Sequence, residues 1–330
     1  MILLVTDPGD RHAYALEGAL RQKGAETFRF HPEDLPLAAT LTLYPGVPQE
    51  SGWLRGERGD LRLDSVRSVW RRTRRPFALP LEWSDLARQY TRVECTESVS
   101  GLYLHLRERF WVNPPWRLRH GADNKALQLR VAQESGLETP LSLVTSESSA
   151  AQEFFRQCEG HVLRLSLRTH PSGGGAGRPL EEVVSLEQLQ DVELFHRAPL
   201  LLQQLLPVVA RVWVVVVGCQ LFAAEAPAGP VGRSRARRAP RLRPHSLPEA
   251  TGGACLRMMR RLGLASATLE LGLVAEARYV FLRLDAQGDW LPLEREARLP
   301  VLECLAELLL QGGCERERTA DAGGMFPSDA

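Results

Sequence analysis

The residues best suited to hold an anion are Ser172, Gly173, Gly174, Gly175, Ala176 and Gly177, a run that follows a strand-like segment carrying Arg164. Successive residues without Cβ let backbone N–H groups come close to a phosphate, and a nearby cation strengthens that attraction. No Gly-Lys-Ser/Thr follows the run and the G-x-G-x-x-G spacing is absent, so it is neither a P-loop nor a dinucleotide fingerprint. Read alone, it fits a flexible surface loop equally well. A second feature is the choice of cation: of 41 basic residues only Lys23 and Lys125 are lysine. Arginine is the default here, which singles out a lysine at any motif position. Other chemistries are excluded by their missing signatures. The eight histidines form no H-E-x-x-H pair, no G-x-S-x-G elbow occurs, and the six cysteines include no C-x-x-C.

The elements that must position these residues follow from periodicity. Ile2 to Val5, a polar turn, an amphipathic stretch from His12 to Lys23 closed by Gly24, and Thr27 to Phe30 read as β-α-β. Asp7 and Asp10 are placed to cap that helix. A turn-rich stretch spans 45–59, Val66 to Arg71 reads as a strand, Trp83 to Arg109 as a long helix and Phe110 to Asn113 as extended. The Pro114-Pro115 pair marks a domain boundary, because it stiffens a connection and cannot continue a helix. Beyond it, helices are expected at 124–135, 148–158, 249–262 and 299–310. Strands are expected at 141–144, 161–166, 200–203, 212–217, 220–225, 267–274 and 279–285. The fold class is therefore α/β to α+β. The polar tail 312–330 reads as disordered.

At 330 residues, with 44% hydrophobic and 25% charged, the composition is that of a globular protein of two or three lobes. No apolar run reaches the ~20 residues of a membrane span. The first residues carry no basic n-region, which points to a cytoplasmic protein without membrane attachment. A net charge of +1 argues against a dedicated nucleic-acid binder. The segment from Arg233 to Arg243 nevertheless holds six arginines in eleven residues. It reads as a solvated loop, with a clamp for an acidic peptide or for phosphates as the alternative.

One ordered set of segments resembles a known family. The set comprises Trp111-Val112-Asn113-Pro114-Pro115, Asn124-Lys125 with Gln128-Leu129-Arg130, Gly136 to Pro140, the glycine run, and Leu202 to Pro207. It continues with Arg211 to Gly218, Phe222 to Glu225, Met259 to Leu264, and Tyr279 to Leu282. In this order they resemble ATP-grasp ligases of the microviridin-type (graspetide) peptide maturase family and its RimK-like relatives. The resemblance implies an ATP-grasp fold with an N-terminal pre-ATP-grasp α/β lobe (1–115), a central lobe with the glycine loop (116–200) and a C-terminal lobe with the metal and phosphate site (201–311). ATP would lie between the last two.

The resemblance also assigns roles. Lys125 and Arg164 would reach the ATP phosphates, and Ser172, Gly173, Gly174 and Gly175 would lie over them. Gln203, Gln204, Leu205 and Leu206 resemble the hinge strand that hydrogen-bonds adenine through its backbone, and Arg211 resembles the basic residue that contacts transferred phosphate. For Mg²⁺ the family uses a carboxylate on one strand and a Glu-x-Asn pair on the next. Those positions read Glu270 and then Arg283-Leu284-Asp285. Strand alternation puts Arg283 and Asp285 on one face. An arginine cannot ligate a metal, so two readings stand: Glu270 and Asp285 keep one Mg²⁺ while Arg283 contacts phosphate, or the site is catalytically degenerate. The implied partners are ATP and a precursor peptide with acidic residues, whose side-chain carboxylates would be activated as acyl-phosphates for amide or ester macrocycles. A peptide- or partner-binding module is the alternative, and a homodimer is left open.

Overall fold

The structure, a computed structural model, describes residues 1–46, 52–72, 75–168, 181–229 and 241–313. The glycine run at 172–177, most of the arginine-rich insert and the tail from 314 lie outside the described residues.

The N-terminal lobe is built on a parallel sheet in the order Thr27–Phe30, Ile2–Thr6, Ser68–Arg72, Phe110–Val112. The first strand is apolar at consecutive positions because both of its faces are covered. Leu3 and Val5 share a core with Val99 and Leu102 of the helix Asp85–His105. Ile2 and Leu4 share another with Leu16 and Leu20 of the helix Arg11–Gln22, and with Leu305 and Leu309 of the last helix, Val301–Gln311. The helix Val301–Gln311 thus packs on the first sheet. A backbone N–H donates to the Asp10 side chain at the start of Arg11–Gln22, and Gly24 behind it takes φ 79°.

Two further sheets face each other across the rest of the molecule. One is antiparallel in the order Glu181–Val183, Val162–Leu165, Leu200–Gln204, Ser142–Thr145. One of its faces is covered by the helix Ser148–Gln157 and two short helices, through Phe154, Leu189 and Phe195. The other sheet runs Arg243–Pro244, Gln220–Pro227, Ala210–Val217, Ser266–Leu273, Tyr279–Asp285, again antiparallel. Its valine run is also a two-sided strand. Val212, Val214 and Val216 join the core under the helices Lys125–Glu134 and Glu249–Leu262, whereas Val215 and Val217 face the last helix and the N-terminal lobe.

The expected helices and strands fall within a few residues of the observed ones, but several short elements were not anticipated, among them Glu181–Val183, Leu186–Gln190, Val192–Arg197 and Leu291–Ala297. The stretch read as turns contains the hairpin Trp53–Gly56 and Gly59–Arg62, which pairs with Ala39–Thr42. Each of its two strands buries a single side chain, Leu54 and Leu61, so no alternation was available to betray it.

Asn113 fastens the N-terminal lobe to the five-stranded sheet. Its Nδ2 donates to the Ser266 and Ala286 carbonyls at 2.6 and 2.8 Å, and its Oδ1 accepts from the backbone N–H groups of Ala265 and Ser266. Asn113→Ala leaves buried backbone groups without partners. It is expected to lower the unfolding free energy by about 2–3 kcal/mol, read by urea denaturation.

Candidate functional site

The uncovered face of the four-stranded sheet and part of the five-stranded sheet enclose a cleft that opens to solvent. Its apolar wall is Leu163, Leu165, Leu205, Leu206, Val208 and Leu282. Among the described residues its charged wall holds Lys125, Arg168, Arg211 and Arg283 together with two carboxylates, Glu181 and Glu270. An apolar slot ending in concentrated positive charge suits a flat ring carrying phosphates.

Glu270 sits at the centre of the charged wall and is 2% exposed. Arg211 Nη1 donates to its Oε1 at 2.5 Å and Arg283 Nε to its Oε2 at 2.6 Å, so both oxygens are engaged. Burial alone would raise the pKa of this carboxyl, but the Arg283 and Arg211 guanidiniums outweigh burial and hold it below the usual carboxylate range. Arg211 uses its second terminal nitrogen to reach Glu181 at 3.2 Å, linking the two sheets. Sheet register explains the grouping. Glu270 lies directly opposite Arg283, and Asp285 opposite Thr268. A bulge just beyond Glu270 leaves Leu282 unpaired, so Leu282 and Arg283 both line the cleft while Phe281 stays in the core.

Lys125 opens the helix Lys125–Glu134, whose first turn is capped by the Asn124 side chain. Its backbone N–H donates to Leu167 at 2.7 Å, and its Nζ lies 5.2 Å from the centroid of the Phe281 ring. Burial, and then the positive charge of Arg283, push its pKa down to about 7. The same helix is pinned to the strand of Arg283 by Gln128, which donates to the Leu284 carbonyl and accepts from the Leu284 N–H. On the opposite wall, Gln204 and Leu205 donate backbone N–H bonds to Leu141 and His161 at 2.8 Å, and Gln203 reaches Ser142. This fixes the segment Gln203–Leu206 along the cleft.

Residues 1–119 match the family described as MvdD pre-ATP grasp domain. The whole chain is similar to the crystal structure of macrocyclase MdnB from Microcystis aeruginosa MRC, at 28% identity and a TM-score of 0.81, covering 94% of this chain and 99% of that one. It is similar to macrocyclase MdnC of the same organism, bound with precursor peptide MdnA, at 26% identity, a TM-score of 0.83 and the same coverage. Over nearly its whole length the chain shares the fold of these macrocyclases, and its first 119 residues match a pre-ATP-grasp domain. A RiPP-associated ATP-grasp ligase of Chryseobacterium gregarium, in complex with ADP and a leader and core peptide, shares the fold at 19% identity and a TM-score of 0.77, covering 96% and 98%. No curated protein matches the sequence.

Within the cleft, Lys125, Gln203, Gln204, Leu205, Leu206, Arg211, Glu270 and Arg283 come together. Arg164 does not. Leu163 and Leu165 face the cleft, so alternation turns Arg164 to the other side of the sheet, where it pairs with Glu182 at 2.7 Å. Arg168, just beyond the strand end, is the basic residue that lines the cleft. Its position four residues before Ser172 was the available signal. Glu181 was also missed, because its contact with Arg211 joins different sheets.

Glu270 and Asp285, the pair expected to hold magnesium, are not brought together in the cleft. Mg²⁺ asks for about six oxygen ligands at about 2.1 Å, whereas both Glu270 oxygens are bound to guanidiniums and Asp285 lies outside the cleft lining. One Asp285 oxygen accepts the Gln287 N–H instead. Among the described residues no group of three or more His, Cys, Asp or Glu is arranged to hold a metal. Among them, too, no helix is long and apolar enough to cross a membrane.

Proposed function

We propose that this chain is an ATP-dependent ligase acting on a ribosomally made precursor peptide. ATP would lie between the central lobe (116–200) and the C-terminal lobe (201–311). The observation that carries the reading is the cleft itself, which joins an apolar slot beside Gln203–Leu206 to the cations Lys125, Arg168, Arg211 and Arg283. In the proposed reaction a peptide side-chain carboxylate attacks the γ-phosphorus of ATP and ADP leaves. A lysine amine or a serine or threonine hydroxyl then attacks the acyl-phosphate carbon, expelling phosphate and losing its proton. The protein's contribution is to position the groups and to neutralise the charge that builds on the phosphoryl oxygens, the task suited to Lys125 and Arg211.

Incubating the protein with ATP and a short precursor peptide that carries Asp or Glu together with Lys, Ser or Thr is expected to release ADP and to reduce the peptide mass by one water for each bond formed. Unchanged peptide mass with no ADP released rejects the ligase reading. A second reading, a binding module that holds nucleotide and peptide without turnover, is favoured by one observation, the pairing of Arg283 with Glu270. Turnover gained in Arg283→Glu would select it, and turnover lost would select the ligase.

A further inference from the structure

We infer that Arg211, Glu270 and Arg283 form a fixed ion triad that takes the place of a divalent cation, so that the cleft binds the polyphosphate of a nucleotide free of metal. The inference rests on the nucleotide reading above and specifies the ionic form of the ligand. Three observations carry it. First, both oxygens of Glu270, which is 2% exposed, are held by guanidiniums at 2.5 and 2.6 Å, so a metal reaching either oxygen has to compete with a cation already in place.

Second, the two arginines have different amounts left to offer. Arg211 spends one terminal nitrogen on Glu270 and the other on Glu181. Arg283 engages Glu270 through Nε, is 46% exposed at its side chain, and has no other hydrogen bond among the described residues. Its terminal nitrogens remain for a phosphate, in the charge-assisted geometry that a guanidinium favours. Glu270 thereby acts as the anchor that orients Arg283 from behind. Third, among the described residues the lining carries more cationic side chains, Lys125, Arg168, Arg211 and Arg283, than carboxylates, Glu181 and Glu270. A metal-bound nucleotide enters this cleft with its own charge already reduced, and the metal itself would be repelled by the arginines.

The test is calorimetric titration of the full chain with ADP, ATP and inorganic tripolyphosphate, each in EDTA and again in excess Mg²⁺. Affinity in EDTA is expected to equal or exceed that in Mg²⁺, with tripolyphosphate competing for the same site. Arg283→Gln is expected to weaken metal-free binding about tenfold while thermal unfolding still shows a folded protein. Binding that appears only with Mg²⁺ overturns the inference but keeps the nucleotide reading. An unchanged affinity in Arg283→Gln also overturns it. Absence of nucleotide binding under both conditions rejects the nucleotide reading and the inference together.

Discussion

Glu270→Ala is expected to lower the unfolding free energy by about 3–5 kcal/mol, the cost of leaving buried charge without its partner. The side chain is 2% exposed and bridges two guanidiniums, one on each neighbouring strand. Once it is removed, Arg211 keeps only Glu181, Arg283 has no hydrogen-bonded carboxylate, and Lys125 loses one of the two negative charges that favour its protonated form. The effect is electrostatic more than steric, and two comparisons separate the causes. Glu270→Gln preserves shape and acceptor but not charge, so it should lose a large fraction of the same free energy. Combining Glu270→Ala with Arg283→Ala should recover part of the loss, because the second change removes one of the stranded cations. Added tripolyphosphate should stabilise Glu270→Ala more than the parent, since an anion can then fill the gap. The pH dependence has a defined sign. The folded-state pKa of Glu270 is depressed, so its contribution is present above the unfolded-state value and is lost as pH falls through the folded one. Urea titrations showing a loss under ~1 kcal/mol at neutral pH would rule this account out.

The order of segments along the chain carried the fold because each one is locally determined. The helix Glu249–Leu262 ends where Gly263 adopts φ 63°, and the strand Tyr279–Asp285 ends before a tight turn, so local composition sufficed for both. Glu270 was legible as the carboxylate the family pattern expects and Arg283 as a departure from that pattern. That they bond each other was not, since pairing across strands depends on a register set by a bulge. Arg164 shows the opposite case. The family resemblance suggested a phosphate contact, but a strand presents alternate residues to opposite faces, and a one-residue difference decides between the cleft and the helix-covered face. The alternation was readable only with knowledge of which face the helices cover, and Phe154, Leu189 and Phe195 supply that from other elements. Asn113 belongs to the same class. It was noted as part of a motif, whereas its four hydrogen bonds to residues more than 150 positions away exist only in the folded chain.

Nucleotide affinity is expected to peak near pH 7 and to fall at higher pH by about tenfold per unit, because the bound form needs Lys125 charged. In the free protein burial and the neighbouring Arg283 bring the pKa of Lys125 down to about 7, so above that pH the amine is neutral. A phosphate beside Nζ favours the ammonium and raises the pKa again, so binding must take up a proton over the window between the two values. On the acid side the terminal phosphate, with a second pKa of about 6, loses charge and affinity falls for a different reason. Calorimetry at several pH values, in buffers of different ionisation enthalpy, should therefore show proton uptake approaching one per nucleotide in the alkaline limb. Two variants decide whether Lys125 is the group responsible. Lys125→Met should bind weakly at every pH and lose the alkaline fall, since no charge remains to be titrated. Lys125→Arg should also lose the fall while retaining part of the affinity, because a guanidinium stays protonated throughout the window. An alkaline fall that persists unchanged in Lys125→Arg would assign the titration to another group in the cleft.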